Sequence, residues 1–268
     1  MAKKAIQLKK KILVRGQITA LTGIAIGGSN SAMNIGGVDK GVIRNPTNNQ
    51  PYIPGSTLKG KMRSLLELRD GTIGDKAMGA VKNGPSENYR AMSVRLFGSA
   101  SNDDRQRPAR VVVRDAYLIK KQVRKDSDFF KNTDLPYTEV KTEVVIDRIT
   151  SKAMPRQLER VPAGAKFDFE LVVNIYGDLH EVSDDDDEAA IKTKLKDSSV
   201  KEESELLPNL FAAMRLVQDD YIGGSGSRGS GRIAFNIESV SERGESYYTE
   251  SIEEIDVTEK WQAHFPKA

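Results

Sequence analysis

This chain of 268 residues contains no cysteine. That excludes disulfides, thiolate-ligated zinc and thiol catalysis, and it fits a cytoplasmic protein. Histidine is almost absent: His180 and His264 are the only two, and both lie near acidic segments. A histidine-based acid–base nuclease is therefore hard to build from these residues. Aromatic residues make up 6% of the chain, with one tryptophan, which leaves few platforms for stacking bases. No apolar run approaches the ~20 residues that a membrane span needs. The start Met1-Ala-Lys-Lys-Ala-Ile-Gln-Leu-Lys9 lacks the long apolar stretch of a secretory signal. The composition reads as a soluble protein with no membrane partner.

What is present is charge, unevenly spread. The formal net charge is +3, yet residues 177–205 carry 11 Asp/Glu against 4 Lys, and residues 238–268 carry 8 acids against 3 bases. With −7 and −5 in those two segments, the rest of the chain holds +15. A basic body with local acidic segments points toward a polyanion as partner. Uneven surface loops on an ordinary protein are the plainer alternative.

The hydrophobic pattern predicts an α+β fold. Alternating or continuous apolar runs mark strands at 12–21, 110–118, 166–176 and 232–240. Leu58, Met62, Leu65 and Leu66 recur at helical spacing over 56–69, with Ser56 available as N-cap after Pro54-Gly55. A short helix at 92–97 stops at Gly98. Another is expected over 204–217, its regular part starting near Pro208. Residues 23–37 read as a long glycine- and serine-rich loop, 70–87 as a surface excursion and 184–187 as a solvated acidic linker. Residues 134–162 are β-branched but charged on both sides, so they read as a projecting hairpin arm. With the arm set aside, the order is that of a ferredoxin-like or RRM-like palm, βαββαβ, carrying long insertions. The expected parts are a palm at 1–133 and 163–243 (with an acidic insert at 177–205), the arm at 134–162 and an acidic C-terminal segment at 244–268.

Two glycine motifs carry chemistry. Gly55-Ser-Thr-Leu-Lys-Gly60-Lys61 keeps the spacing of a nucleotide P-loop until Met62 replaces the hydroxyl residue that holds magnesium. What remains is a helix start bearing Ser56, Lys59 and Arg63, where unpaired N–H groups and cations on one face favour phosphate. A capped amphipathic helix with solvated cations is the bland reading. Gly224-Ser-Gly226-Ser-Arg-Gly229 matches the dinucleotide fingerprint, but a helix precedes it and a strand follows, the reverse of what that fingerprint needs. It reads instead as a loop whose Gly224 and Gly226 let the backbone approach a ligand, with Arg228 as a phosphate fork. Asp39 stands in an acid-poor glycine loop, where an aspartate is either a turn-former or a catalytic group.

In chain order, Ile26-Gly-Gly-Ser29, Gly36-Gly-Val-Asp39, Val42-Ile-Arg-Asn-Pro46, Tyr52-Ile-Pro-Gly-Ser-Thr-Leu-Lys-Gly-Lys-Met-Arg63, Arg95-Leu-Phe-Gly98, Tyr137-Thr-Glu-Val140, Ile146-Asp-Arg-Ile-Thr150, Pro155-Arg-Gln157 and Gly223-Gly-Ser-Gly-Ser-Arg-Gly229 resemble one family. It is the repeating backbone subunit of type III-A CRISPR effectors, the Csm complex, within the RAMP superfamily. The resemblance implies an RRM-like palm, copies of the chain stacked as a filament along one CRISPR RNA, and a thumb at 134–162 that displaces a nucleotide of the guide–target duplex at regular intervals. Met154 and Pro155 are candidates for the thumb's wedge. Guide-backbone contacts fall at Ser56, Lys59, Arg63, Gly224, Gly226 and Arg228, and Arg148 is an RNA-binding candidate in the thumb. Asp39 falls on the family's catalytic aspartate, which implies cleavage of target RNA with Mg²⁺ or another divalent cation held at Asp39. The implied partners are CRISPR RNA, target RNA, copies of the chain and other Csm subunits. Two positions depart from some relatives: Ala25 replaces a histidine and Asn30 replaces an acid. Three activities stay open: an endoribonuclease subunit that acts on assembly, a non-catalytic RNA-binding scaffold, and a guide-processing nuclease, the last disfavoured by the shortage of histidine.

Overall fold

Two long strands with period-two apolar patterns form the middle of the protein. The computed structural model describes residues 6–27, 41–74, 83–99, 108–178, 187–250 and 253–267. In chain order the elements are β1 (Ile6–Ala20), β2 (Tyr52–Ile53), α1 (Gly55–Asp70), α2 (Met92–Phe97), β3 (Val111–Val113), β4 (Ala116–Leu118), α3 (Lys120–Val123), β5 (Glu139–Ile146), β6 (Ala153–Arg160), β7 (Lys166–Asp178), α4 (Glu188–Asp219), β8 (Ile233–Arg243), α5 (Glu245–Thr249), β9 (Ile255–Asp256) and α6 (Thr258–Trp261). β1 lies between β7 and β8, antiparallel to both. The sheet order is β2-β4-β7-β1-β8-β9, and β3 also pairs with β7.

The alternation of β7 puts Phe167, Phe169, Leu171, Val173 and Ile175 into one core with Ile12, Val14 and Ile18 of β1. Leu58, Met62 and Leu66 of α1 and Leu206, Leu210, Phe211, Met214 and Val217 of α4 join the same cluster. Full burial of side chains such as Phe167 and Phe211 contributes about 2–3 kcal/mol each. β5 and β6 form a separate two-stranded hairpin, paired from Glu139–Arg160 to Ile146–Ala153, and its strands are mostly exposed. It is tied to the body at its base, where Ile24 and Val161 exchange both backbone hydrogen bonds.

Three expectations change. The strand at 110–118 is broken into β3 and β4 because Asp115 turns aside to accept a hydrogen bond from the Gly55 N–H at 2.7 Å. The helix expected from 204 starts at Glu188 and runs through Pro208. Asp187, expected in a solvated linker, is its N-cap and accepts from the Ala190 N–H, while Asp184, Asp185 and Asp186 lie outside the described residues. From Glu188 onward, then, the acidic stretch of 177–205 is the first half of α4. Its last three acids are docked rather than solvated, while Glu188 and Asp197 are exposed. Glu202 pairs with Arg110 at 2.7 Å, Glu203 with Lys10 at 2.6 Å and Glu205 with Arg95 at 2.6 Å. The acidic C-terminal stretch docks in the same way, through Glu254 on Arg15 and Arg243 and through Trp261 against Phe211.

Candidate nucleic-acid interface

The α1 motif and the glycine-rich loop, far apart in sequence, meet through one ring. Lys61 Nζ sits 4.0 Å from the centre of the Tyr221 ring and 3.0 Å from Asp220 Oδ2. On Tyr221 also rests Gly226, where a Cβ would come within 2.0 Å of the ring. Glycine is thus required there for close approach, not for flexibility. Gly223 has φ +75° beside the Ala25 carbonyl, and the Gly224 N–H donates to that carbonyl at 2.7 Å. The loop is a built turn, with residues 226–228 in a 3₁₀ turn after Ser225 at φ 61°. It carries Arg228 toward the hairpin. Arg228 Nη2 donates to Ser225 Oγ, and Nε lies 3.0 Å from Glu143 Oε2 on β5. Between hairpin and loop runs a cleft of about 400 Å³, walled by Lys141, Glu143, Val144, Val145, Arg156 and Leu158.

At the start of α1 the structure corrects the cap. Pro54 is the N-cap residue and makes no side-chain bond, while Ser56 is exposed inside the first turn. Proline at that place fixes the chain's entry into the helix, and the Asp115 carboxylate satisfies the first amide. Lys59 is half-buried and has no ion pair among the described residues. Burial, then the neighbouring Arg63, push its ammonium below the usual value. A cation with its charge weakened in this way is relieved by an incoming anion. Arg63 is differently placed: its Nε donates to Glu67 at 2.8 Å and its Nη2 to the Ser86 carbonyl at 2.7 Å. It ties α1 to the chain at Ser86, with Glu67 buried beneath it.

The hairpin base is held by Glu159, 6% exposed. It accepts from the Val42 N–H at 2.9 Å, Arg44 Nη2 at 2.5 Å and Thr138 Oγ1 at 2.6 Å. Burial acts to raise the Glu159 carboxyl, but the bonds from Thr138, Arg44 and Val42 outweigh it and hold the group below its ordinary value. Asp39 lies outside the described residues. The chain on either side of residues 28–40 is joined by a bridge between Gly27 and Val42, and the Ile43 N–H donates to the Ile26 carbonyl. Val42 therefore sits on Glu159, and Gly27 lies two residues from Ala25, whose carbonyl the Gly224 amide touches. At the hairpin's far end Arg148 is exposed and unpaired among the described residues, Met154 is 45% exposed and Pro155 is exposed, but Ile149 is 95% exposed at the turn itself.

The structure thus brings Lys61 of α1 and Gly226 onto the Tyr221 ring and carries Arg228 against the hairpin; Lys59 does not line the cleft between them. It leaves Arg63 in an internal ion pair. Sequence reasoning missed Tyr221, Glu143 and Glu159. Only Glu159 left a trace, as one acid in the otherwise mixed strand before Pro162. Among the described residues no group of three His, Cys, Asp or Glu is arranged to hold a metal, and no helix is long and apolar enough to cross a membrane.

A fold with this sheet order, a detached hairpin and a glycine loop against α1 can be compared with known proteins. The family model of the RAMP superfamily matches residues 17–234. The CRISPR system Cms endoribonuclease Csm3 of Methanocaldococcus jannaschii is 38% identical over 231 residues, spanning 85% of this chain and 79% of that protein. Its namesake from Enterococcus italicus is 38% identical over 231 residues, spanning 86% of this chain and 92% of that protein. The crystal structure of a Csm3–Csm4 subcomplex in the type III-A CRISPR-Cas interference complex aligns with TM-score 0.54 and 28% identity, over 93% of this chain and 90% of that chain. The chain belongs to the RAMP superfamily and, within it, to the Csm3 family.

Proposed function

We propose that this protein is a CRISPR RNA-binding subunit of a type III-A effector, repeated as a filament, that cleaves complementary target RNA at regular intervals. The order β1-α1-β4-β7-α4-β8, with β4-β7-β1-β8 side by side, supports reading the body as a ferredoxin-like, RRM-like palm. The hairpin at 134–162 is then its thumb. Curated relatives that are 34–38% identical are named endoribonucleases, which supports the activity.

The observation that carries the reading is the cleft between the hairpin and the glycine loop, where Lys141, Arg156 and Arg228 meet with no aromatic residue among the described lining residues. Such a surface grips phosphate and shape and ignores sequence, as a subunit that must accept any guide requires. In this reading the RNA supplies its own nucleophile, a 2′-hydroxyl beside a phosphate distorted where the thumb displaces a nucleotide. Asp39 assists as base or as the single protein ligand of a divalent cation. Asp39 would be the residue of this chain that holds such an ion, and the ion would supply charge neutralisation at the reacting phosphate. The test is Asp39→Ala in the reconstituted complex. Target cleavage is expected to fall by at least about 10²-fold with target binding intact; unchanged cleavage would instead make the subunit a non-catalytic scaffold. Chelation of divalent ions is expected to stop cleavage and to spare binding.

A further inference from the structure

The cleft between hairpin and glycine loop holds an unbalanced set of charges. Among the described residues its cations are Lys141, Arg156 and Arg228, and its one acid is Glu143. Glu143 is gripped from both sides, with Lys141 Nζ 3.1 Å from Oε1 and Arg228 Nε 3.0 Å from Oε2. Arg156 stands directly opposite Glu143 in the β5–β6 register and makes no ion pair among the described residues. Three positive groups therefore face one negative group, and the cleft has room and charge for another anion. Val144, Val145 and Leu158 supply an apolar wall beside them.

We propose that this cleft is a phosphodiester-binding site, and that in the free chain the Glu143 carboxylate occupies the place of an RNA phosphate, which must displace it from Arg228. The inference rests on the RNA-binding reading given above and adds to it a particular site and an internal competitor. A carboxylate bridging a lysine and a guanidinium presents two acceptor oxygens, as the non-bridging oxygens of a phosphodiester do. Lys141 and Arg228 also keep Glu143 below the usual carboxylate range, so it is charged at neutral pH. Arg228 is pre-aimed, because Ser225 accepts from its other arm and the loop beneath it is fixed by Tyr221. The exchange then swaps one anion for another on a fork that does not move. The apolar wall favours a nucleotide over inorganic phosphate, since ribose and base gain contact there. Glu143 thereby holds down opportunistic RNA binding by single cations, while a guide that engages Lys59 and the loop as well overcomes it.

The full chain is titrated with labelled single-stranded RNA of mixed sequence, and separately with inorganic phosphate, over a series of salt concentrations. Glu143→Gln is expected to bind RNA about two- to fivefold more tightly than the wild type. Its log–log salt slope is expected to steepen by up to ~0.7, one phosphate contact no longer being offset by an internal anion. Arg156→Gln and Arg228→Gln are expected to weaken binding and flatten the slope. In the Arg228→Gln background, Glu143→Gln is expected to lose its effect. Persistence of the tightening without Arg228, or unchanged or weaker RNA binding by Glu143→Gln while Arg228→Gln still weakens it, overturns the inference and leaves the proposed function standing. Absence of RNA binding by the wild type and by every variant overturns the proposed function itself. Phosphate binding as tight per charge as RNA overturns the part assigned to the apolar wall.

Discussion

The α4 side of the protein and the hairpin side use the same residue types to opposite ends. Along α4, carboxylates and cations meet in matched pairs: Glu202 with Arg110, Glu205 with Arg95, and Glu203 between Lys10 and Lys260. On the hairpin side Lys59, Arg148 and Arg156 have no ion pair among the described residues, and two cations share Glu143. The acidic segments that stand out in the sequence thus neutralise the body where elements dock. Between the hairpin and the glycine loop, by contrast, Lys141, Arg156 and Arg228 face one carboxylate among the described residues. Net charge gives the expectation of a polyanion, and the pairing shows where cations outnumber acids.

That contrast can be broken from either side. The largest effect is expected on the α4 side. Glu203 is 3% exposed, with Lys10 at one oxygen and Lys260 at the other. Glu203→Ala leaves Lys10 with Glu242 alone and Lys260 to solvent, and is expected to cost about 1–3 kcal/mol of stability, read by urea denaturation, with RNA affinity of the folded protein unchanged. Next comes the hairpin side. Lys59→Glu combined with Arg228→Glu is expected to lower RNA affinity by about tenfold or more and to flatten the salt slope by ~0.7 per lost contact. Stability should stay within about 0.5 kcal/mol. If affinity and stability moved together in both variants, the division of labour between the two sides would be wrong.

Glu159 lies on the seam between body and hairpin, and its effect is expected to depend on pH. Its carboxyl is held below the ordinary carboxylate value of 4.5 in the folded protein. A depressed folded value means that the stabilisation is complete above 4.5 and is lost as pH falls through the folded value. Glu159→Gln keeps the shape and loses the charge. It is expected to destabilise by about 1–3 kcal/mol at neutral pH, and the gap to the wild type should close as acid protonates the native carboxyl. A gap independent of pH would mean that the amide fails for steric reasons.

The sequence was readable where one face of one element decided the outcome. The strand at 166–176 and the helix at 56–69 emerged because burial is written into period two or period 3.6. It misled where a partner distant in sequence decided. Pro208 signals a helix start only if nothing holds the turns before it, and here Arg110, Lys10 and Arg95 hold them. Ser56 is a good N-cap by type, but Asp115, some sixty residues on, takes the first amide. Arg63 and Lys59 look alike on one helix face; only the fold shows Glu67 and Ser86 engaging the first and not the second. The glycine loop could be recognised as a close-approach element, yet Tyr221 as its floor could not, since a tyrosine before glycines has no fixed meaning.

The smallest expected change in stability concerns the hairpin's far end. Met154 and Pro155 sit on β6, opposite Val145 and Val144. Ile149 sits on the turn, 95% exposed, where Asp147 accepts from the Ile149 and Thr150 N–H groups and pins the reversal. An isoleucine this exposed contributes almost nothing to folding, so Ile149→Ser is expected to shift stability by less than about 0.5 kcal/mol. Its apolar surface gains value only against something outside the chain. If the hairpin wedges a base step, the group presented furthest from the body enters first. Ile149→Ser should then lower target cleavage in the reconstituted complex more than Met154→Ser does, with guide binding equal in both. The opposite order would place the wedge on the strand, at the Met154–Val145 pair, and make the tip a bystander.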